Sequence, residues 1–133
     1  MNILFFLTPK SEVCYVYDSD TMAQAIDKVL THGYTTVPVV DESSGRYEGT
    51  LAADDLLRAL TRRPWQSVEE AAGSLVRSFD RRRDYRPVRA DAEIEDLLHY
   101  AESQNFVPVV DDTGAFIGIV TRRDVIRYLE KRS

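Results

Sequence analysis

The alternation of apolar and polar positions predicts the same series of elements twice along the chain. Apolar residues spaced three and four apart predict amphipathic helices, and runs of β-branched and aromatic residues predict strands. The first half contains predicted strands at 13–17, 36–40 and 46–51 and helices at 21–32 and 53–60. The second half contains predicted strands at 87–89, 106–110 and 115–120 and helices at 92–103 and 122–131. Each half therefore has the order β-α-β-β-α.

An identical pentapeptide marks the repeat in the sequence itself. The residues VPVVD at 37–41 recur at 107–111, and a short turn containing Gly45 or Gly114 follows each copy. Turns of this composition between two apolar runs are typical of β-hairpins. The similarity continues into the following strand and helix, so the chain consists of two copies of one unit.

One copy alone buries too little apolar surface to be stable, because its helices cover only one face of a three-stranded sheet. We therefore expect an α/β (α+β) fold of two β-α-β-β-α repeats packed sheet to sheet with pseudo-twofold symmetry. The first repeat is placed at 1–62, a connector at 63–86 and the second repeat at 87–133. The connector is expected to be helical and to end in a solvated polar loop at 80–84.

Composition and charge narrow the class of protein. The chain has 133 residues, 44% hydrophobic and 29% charged, which excludes a disordered chain. Its net charge is -5 without a basic arm, so no nucleic-acid partner is expected. The longest apolar run, 3–7, is too short for a membrane span or a signal peptide. Cys14 is the only cysteine and the histidines are isolated, so we expect no disulfide, no metal site and a cytoplasmic location.

The repeated order of elements, the motif VPVVD and the ending GIVTRRDVI at 118–126 resemble the CBS (cystathionine-β-synthase) domain. Two such domains in tandem resemble a CBS pair, or Bateman module. The segments GYTTVP at 33–38 and GIVTRR at 118–123 are also similar to those of the small bacterial CBS-pair proteins that bind cyclic di-AMP. Because no catalytic domain flanks the pair in this sequence, we expect a stand-alone CBS-pair protein.

The resemblance implies a regulatory protein rather than an enzyme. CBS pairs bind an adenosyl ligand, such as AMP, ATP or cyclic di-AMP, in the cleft between the repeats, and they dimerise through their helices. We therefore expect an adenine nucleotide as ligand, no obligatory cofactor, a homodimer, and a regulated protein partner whose identity is open. The alternative is a ligand-free module for dimerisation or protein interaction.

The chemistry of the ligand is suggested by the sequence TRRD at 121–124, where a strand gives way to a helix. Thr121 is placed at the N-cap, and the free N–H groups of the first turn attract a phosphate. Asp124 can accept two hydrogen bonds from a ribose diol. Arg122 and Arg123 oppose the helix dipole at this end, which points to a bound anion. The same four residues also fit a capping box that needs no ligand; the repeat and the two arginines favour binding.

The first repeat does not reproduce this chemistry. Ala52, a poor N-cap, replaces Thr121, and Asp54 stands where a phosphate would lie. Asp55 keeps the position of the diol-binding carboxylate. The first repeat therefore holds a degenerate second site, and we expect one competent nucleotide site in each chain.

In CBS pairs, a ligand held by the second repeat lies against the opening strand of the first repeat and the segment before its next strand. Carried over by this resemblance, the residues for the base and the cleft are Cys14, Tyr15, Tyr34, Thr35, Thr36 and Pro38. Tyr34 could cover a face of adenine, or it could be a partly buried surface tyrosine. Cys14 fits a small core residue better than a reactive thiol.

Overall fold

The two series of elements are present, and the mixed α/β fold class is confirmed. Within residues 2–132, which the computed structural model describes, there are two sheets and five α-helices. The strands are β1 (Thr8–Pro9), β2 (Val16–Tyr17), β3 (Thr36–Val40), β4 (Tyr47–Ala52), β5 (Val88–Arg89), β6 (Phe106–Val110) and β7 (Phe116–Thr121). The helices are α1 (Met22–His32), α2 (Ala53–Arg62), α3 (Val68–Ala72), α4 (Ile94–Ala101) and α5 (Arg122–Arg132). Short 3-10 helices lie at Ile3–Phe6, Lys10–Glu12 and Val76–Ser78.

Contacts divide the chain into two units, one continuous in sequence and one made of two separate segments. The central unit runs from Cys14 to Asp84 and includes the predicted connector except its last two residues. The terminal unit combines the residues up to Val13 with those from Tyr85 onward. The N-terminal segment thus packs with the second series of elements, not with the first. The repeat boundaries from the sequence, and the packing of one sheet against the other, stay predictions.

The central unit is built on a sheet in the order β2-β3-β4, with β2 parallel and β4 antiparallel to β3. Thr21 begins α1 with a capping box, because its hydroxyl accepts the Gln24 N–H while the Gln24 side chain accepts the Thr21 N–H. The apolar faces of α1 and α2 cover one side of this sheet. Their core includes Val29, Val37 and Leu51, each at most 2% exposed.

The terminal unit carries a four-stranded sheet in the order β1-β7-β6-β5. The short strand β1 is antiparallel to β7, with Thr8 opposite Ile119 and Pro9 opposite Gly118. Gly118 has a φ of 155°, and a Cβ atom there would lie 2.8 Å from the Leu7 side chain and still nearer the Thr8 carbonyl oxygen. The close approach of the β1 backbone to β7 therefore requires glycine at this position.

The polar segment at 80–84 is held by β4 and is not the freely solvated loop that the sequence predicts. The Asp84 carboxylate accepts the Thr50 N–H at 3.0 Å, and the Arg83 carbonyl accepts the Thr50 hydroxyl at 2.6 Å. Arg81 forms an ion pair with Asp84 at 3.1 Å. The side chains of Arg82 and Arg83 are exposed, but the backbone of the segment is attached to the strand.

Candidate functional site

The start of α5 has the geometry of a capped helix. The Thr121 hydroxyl oxygen accepts the backbone N–H of Asp124 at 3.1 Å, which is the N-cap contact that the sequence predicts. The backbone N–H of Arg122 donates to the Asn105 carbonyl at 2.9 Å, which attaches the helix start to the segment before β6. Thr121, Arg122, Arg123 and Asp124 are thus brought together at one helix terminus.

Two charged side chains at this terminus form no hydrogen bond or ion pair with residues 2–132. The Asp124 carboxylate is half-buried and has no hydrogen-bond or ion-pair partner within residues 2–132. Arg123 is exposed and is likewise without a side-chain partner in the described part of the chain. A carboxylate with free acceptor sites can bind a diol, and a free guanidinium can bind a phosphate.

Arg122 has a different surrounding from Arg123. Its Nε donates to the Ala101 carbonyl at 2.8 Å and its Nη2 to the Glu102 carbonyl at 3.4 Å. These carbonyls lie at the C-terminal end of α4, where a cation is favourable for the helix dipole. Arg122 therefore stabilises the end of α4, a contact that reasoning about α5 alone missed.

A pocket of about 390 Å³ adjoins Asp124 between the N-terminal segment and α5. Phe6 and Tyr128 line it, with ring centroids 5.0 Å apart, and Arg127 and Lys131 form its basic side. Sequence reasoning did not single out these residues. The signal was available, since basic residues recur at every fourth position from Arg123 and so share one helix face.

The start of α2 in the first repeat has the same backbone contact, but its carboxylate, Asp55, already has hydrogen-bond and ion-pair partners. The Ala53 N–H donates to the Thr35 carbonyl at 2.9 Å, as Arg122 does to Asn105. Ala52 supplies no side-chain cap, and its N–H donates to Asp55 Oδ2 at 2.9 Å. Asp55 is 2% exposed, accepts the Arg82 N–H at 3.4 Å, and is ion-paired with Arg58. Both oxygens of this carboxylate therefore accept from groups of the central unit.

The residues before β3 are placed together in the central unit. Tyr34 is 50% exposed, and its ring stacks on His32 with centroids 5.9 Å apart. Thr35 is exposed, Thr36 lies opposite Ala52, and Pro38 is buried opposite Thr50. The half-exposed ring of Tyr34 is available to cover an apolar ligand.

The equivalent of Tyr34 in the second repeat is Gln104, since Thr36 and Phe106 hold the same register position. Gln104 is 6% exposed and bonds both backbone groups of Arg86, accepting from N at 2.8 Å and donating to O at 3.1 Å. This side chain secures the segment entering β5. The two repeats thus differ on this side of the sheet as well as at the helix starts.

Cys14 and Tyr15 lie at the opening of the first repeat. Cys14 is half-buried against the core of the central unit, and its thiol lies 3.8 Å from the Lys28 carbonyl. Burial raises the pKa of the Cys14 thiol, and the Lys28 charge opposes this only in part. Tyr15 packs edge to face on Tyr17 at 5.6 Å.

Residues 2–132 contain neither a metal-binding cluster nor a membrane-spanning helix. No group of three or more His, Cys, Asp or Glu side chains is arranged to hold a metal ion there. None of the helices described is long and apolar enough to cross a membrane.

Comparison with known proteins places this geometry in a family. The CBS domain matches the sequence twice, at residues 7–62 and 76–131. Inosine-5'-monophosphate dehydrogenase of Methanocaldococcus jannaschii is 28% identical over 118 residues, covering 87% of this chain and 21% of that enzyme. The chain spans between 21% and 41% of the length of the curated relatives it matches first.

Two solved structures share the whole architecture. The CbpB protein of Listeria monocytogenes in complex with c-di-AMP has a TM-score of 0.82 at 22% identity, covering 98% of this chain and 96% of that one. CBSX2 in complex with AMP has a TM-score of 0.73 at 25% identity and the same coverage of both chains, 98% and 96%. The chain belongs to the CBS domain family and carries two CBS domains in tandem.

Proposed function

We propose that this protein is a regulatory CBS-pair protein that binds one adenine nucleotide, AMP, ATP or cyclic di-AMP, at the start of α5. The observation that carries the proposal is the pair of uncommitted charges at a capped helix N-terminus, Asp124 and Arg123. A ribose diol would pair with the Asp124 carboxylate, and a phosphate would pair with the Arg123 guanidinium. The cation is notable because the chain has a net charge of -5.

Each residue has a distinct role in this proposal. Asp124 accepts the two ribose hydroxyls, while the Arg123 N–H and the Thr121 hydroxyl bind phosphate; the N–H groups of Arg122 and Asp124 already donate to Asn105 and Thr121. Arg123 adds a cation, and Arg127 and Lys131 extend the positive surface beside the pocket. Arg122 contributes through the end of α4, which it holds. The base and cleft residues follow from the family resemblance: Cys14, Tyr15, Tyr34, Thr35, Thr36 and Pro38.

The nucleotide is a ligand in this proposal, not a cofactor, and no catalytic step is assigned. CbpB and CBSX2 support c-di-AMP and AMP as the first ligands to test, since their structures contain them. A bound nucleotide stabilises one arrangement of the module and so changes its affinity for a protein partner. We place the protein in the cytoplasm and expect it to act as a homodimer.

Thermal shift and isothermal titration with AMP, ATP, cyclic di-AMP and GMP test the proposal. An adenine nucleotide at about 100 times its Kd should add about 2.7 kcal/mol to the unfolding free energy. Asp124→Asn should weaken binding at least tenfold, and the matched control Asp112→Asn, an exposed turn residue, should not. The proposal fails if no adenine nucleotide raises the melting temperature, or if Asp124→Asn binds as tightly as the wild type.

The second candidate function is a ligand-free interaction module. It is favoured by an exposed apolar groove on the central unit, which is lined by Leu30, Leu60 and Val68, 72%, 41% and 81% exposed. Large exposed apolar residues of this kind mark protein contact surfaces. Analytical ultracentrifugation with and without AMP and cyclic di-AMP separates the candidates. A ligand-free interaction module should have the same oligomeric state in both conditions and the same melting temperature with either nucleotide.

A further inference from the structure

The two repeats carry the same carboxylate and the same arginine one turn later, yet they arrange them differently. Asp55 and Arg58 in α2 correspond to Asp124 and Arg127 in α5. In α2 the side chain of Arg58 is 15% exposed, and its guanidinium is ion-paired with Asp55, whose side chain is 2% exposed. In α5, Arg127 is exposed and makes no ion pair in the described part of the chain.

The residue before the carboxylate differs in sign between the repeats. Asp54 precedes Asp55, and its Oδ2 lies 3.1 Å from Arg58 Nη1, so one guanidinium bridges two carboxylates. Arg123 precedes Asp124 and stands four residues before Arg127 on the same helix face. Opposite charges at this spacing attract and like charges repel. This spacing favours the Asp54–Arg58 pair in the first repeat and disfavours a close approach of Arg127 to Arg123 in the second.

We infer that the charge at the position before the carboxylate decides which repeat can take a nucleotide. Arg58 occupies the acceptor sites of Asp55 that a ribose diol would need, so the first-repeat site is closed by the chain's own side chain. Arg123 leaves Asp124 open, so the second-repeat site is available. This inference rests on the proposed function and adds the residues that restrict binding to one nucleotide per chain.

Backbone contacts reinforce the closure of the first repeat. The N–H groups of Ala52 and Arg82 also bond Asp55, at 2.9 and 3.4 Å, so its oxygens are shared among three donors. A buried carboxylate deprived of its arginine would be left short of partners. Arg58 is therefore both a structural residue and the occupant of the site, whereas Arg127 has no structural ion pair to lose.

The first experiment reverses the charge in the second repeat and measures AMP binding by isothermal titration. Arg123→Met removes a cation from the phosphate and should weaken AMP binding about tenfold. Arg123→Asp should weaken it further, because Arg127 is then drawn onto Asp124. Adding Arg127→Met to Arg123→Asp should restore several-fold of the affinity. Rescue is diagnostic because the removal of a cation ordinarily weakens the binding of an anion.

The wild-type chain should bind one AMP in this titration. Two AMP molecules per chain, or no rescue by Arg127→Met, would overturn the inference while leaving nucleotide binding intact. If the wild type binds no AMP, the proposed function fails for this ligand. The control of Arg127 by residue 123 is then tested by the melting temperatures of the ligand-free variants.

The ligand-free arm compares melting temperatures of the full chain. Arg58→Met should lower the melting temperature by about 5 °C or more, because Asp55 loses its buried partner. Arg127→Met should leave it unchanged in the wild type and lower it in the Arg123→Asp background, where the new pair has formed. Equal effects of Arg127→Met in both backgrounds would show that residue 123 does not control Arg127.

Discussion

Replacement of Gly118 by alanine tests how firmly the N-terminal segment belongs to the terminal unit. Strand β1 pairs with β7 at this glycine, which lies opposite Pro9 and has a φ of 155°. A Cβ atom there would lie 2.8 Å from Leu7 Cδ1 and 3.1 Å from Pro9 Cα, and closer still to the Thr8 carbonyl. The obstruction includes backbone atoms, which cannot rotate away, so β1 would have to move off β7.

The expected cost has two parts. An L-residue in a rarely populated backbone region costs about 1–3 kcal/mol. Displacement of β1 adds the loss of its backbone hydrogen bonds to β7, at about 1 kcal/mol each. Together these predict a loss of about 3 kcal/mol or more. Gly45 is the matched control, because its φ is 77° but nothing lies within 4 Å of the added Cβ. Gly45→Ala should cost about 1 kcal/mol from backbone strain alone.

Urea unfolding followed by circular dichroism measures both variants, and amide hydrogen exchange reports on β1. Gly118→Ala should shift the midpoint by about three times as much as Gly45→Ala, with faster exchange at Ile119. Equal losses of unfolding free energy in the two variants would refute the reasoning, because the close passage of β1 would then contribute nothing.

Three further predictions concern single side chains. Arg122→Met should lower the unfolding free energy by about 1–2 kcal/mol, because the last carbonyls of α4 lose their cation, and urea unfolding should show no such loss for Arg123→Met. Cys14 should react with a disulfide reagent at pH 8 more slowly than free cysteine, because burial raises the pKa of its thiol, and at the ordinary rate in urea. The Asp111 pKa is lowered, first by the Thr113 hydroxyl and then by backbone N–H groups, so its stabilising contribution is present above about pH 4 and is lost as the pH falls through the lower folded pKa. Carboxyl NMR titration should show Thr113→Val raising that pKa; an unchanged titration would contradict this.

The strands of each hairpin were predictable because their signal is local. The structure places β3 and β6 at the residues that the sequence predicts, Thr36–Val40 and Phe106–Val110. Both are short apolar runs bounded by turn residues. A strand buried on both faces is apolar throughout and shows no alternation of apolar and polar residues. The pairing of β1 with β7 was not predictable, because two residues carry no periodicity and their partner lies far along the chain.

The candidate site was predictable in its residue types but not in its pairings. Thr121 was placed at the N-cap from spacing alone, and the 3.1 Å contact to the Asp124 N–H agrees with that placement. The destination of Arg122 was not predictable, because the carbonyls it binds belong to another helix, twenty residues and more away. Spacing on one helix limits which side chains are neighbours, but a long side chain can instead reach a neighbouring element.

The positions at which the repeats agree and those at which they differ serve separate purposes. The identical VPVV residues at 37–40 and 107–110 lie in buried strands, so both repeats pack their sheets with the same side chains. Asp54 and Arg123 are exposed at equivalent positions and cost the core nothing, so their charges are free to differ. Under the proposed function, one difference of sign, next to a carboxylate that both repeats keep, commits Asp55 to the fold and leaves Asp124 for a ligand. A tandem of nearly equivalent domains can thus hold one site without losing either domain's core.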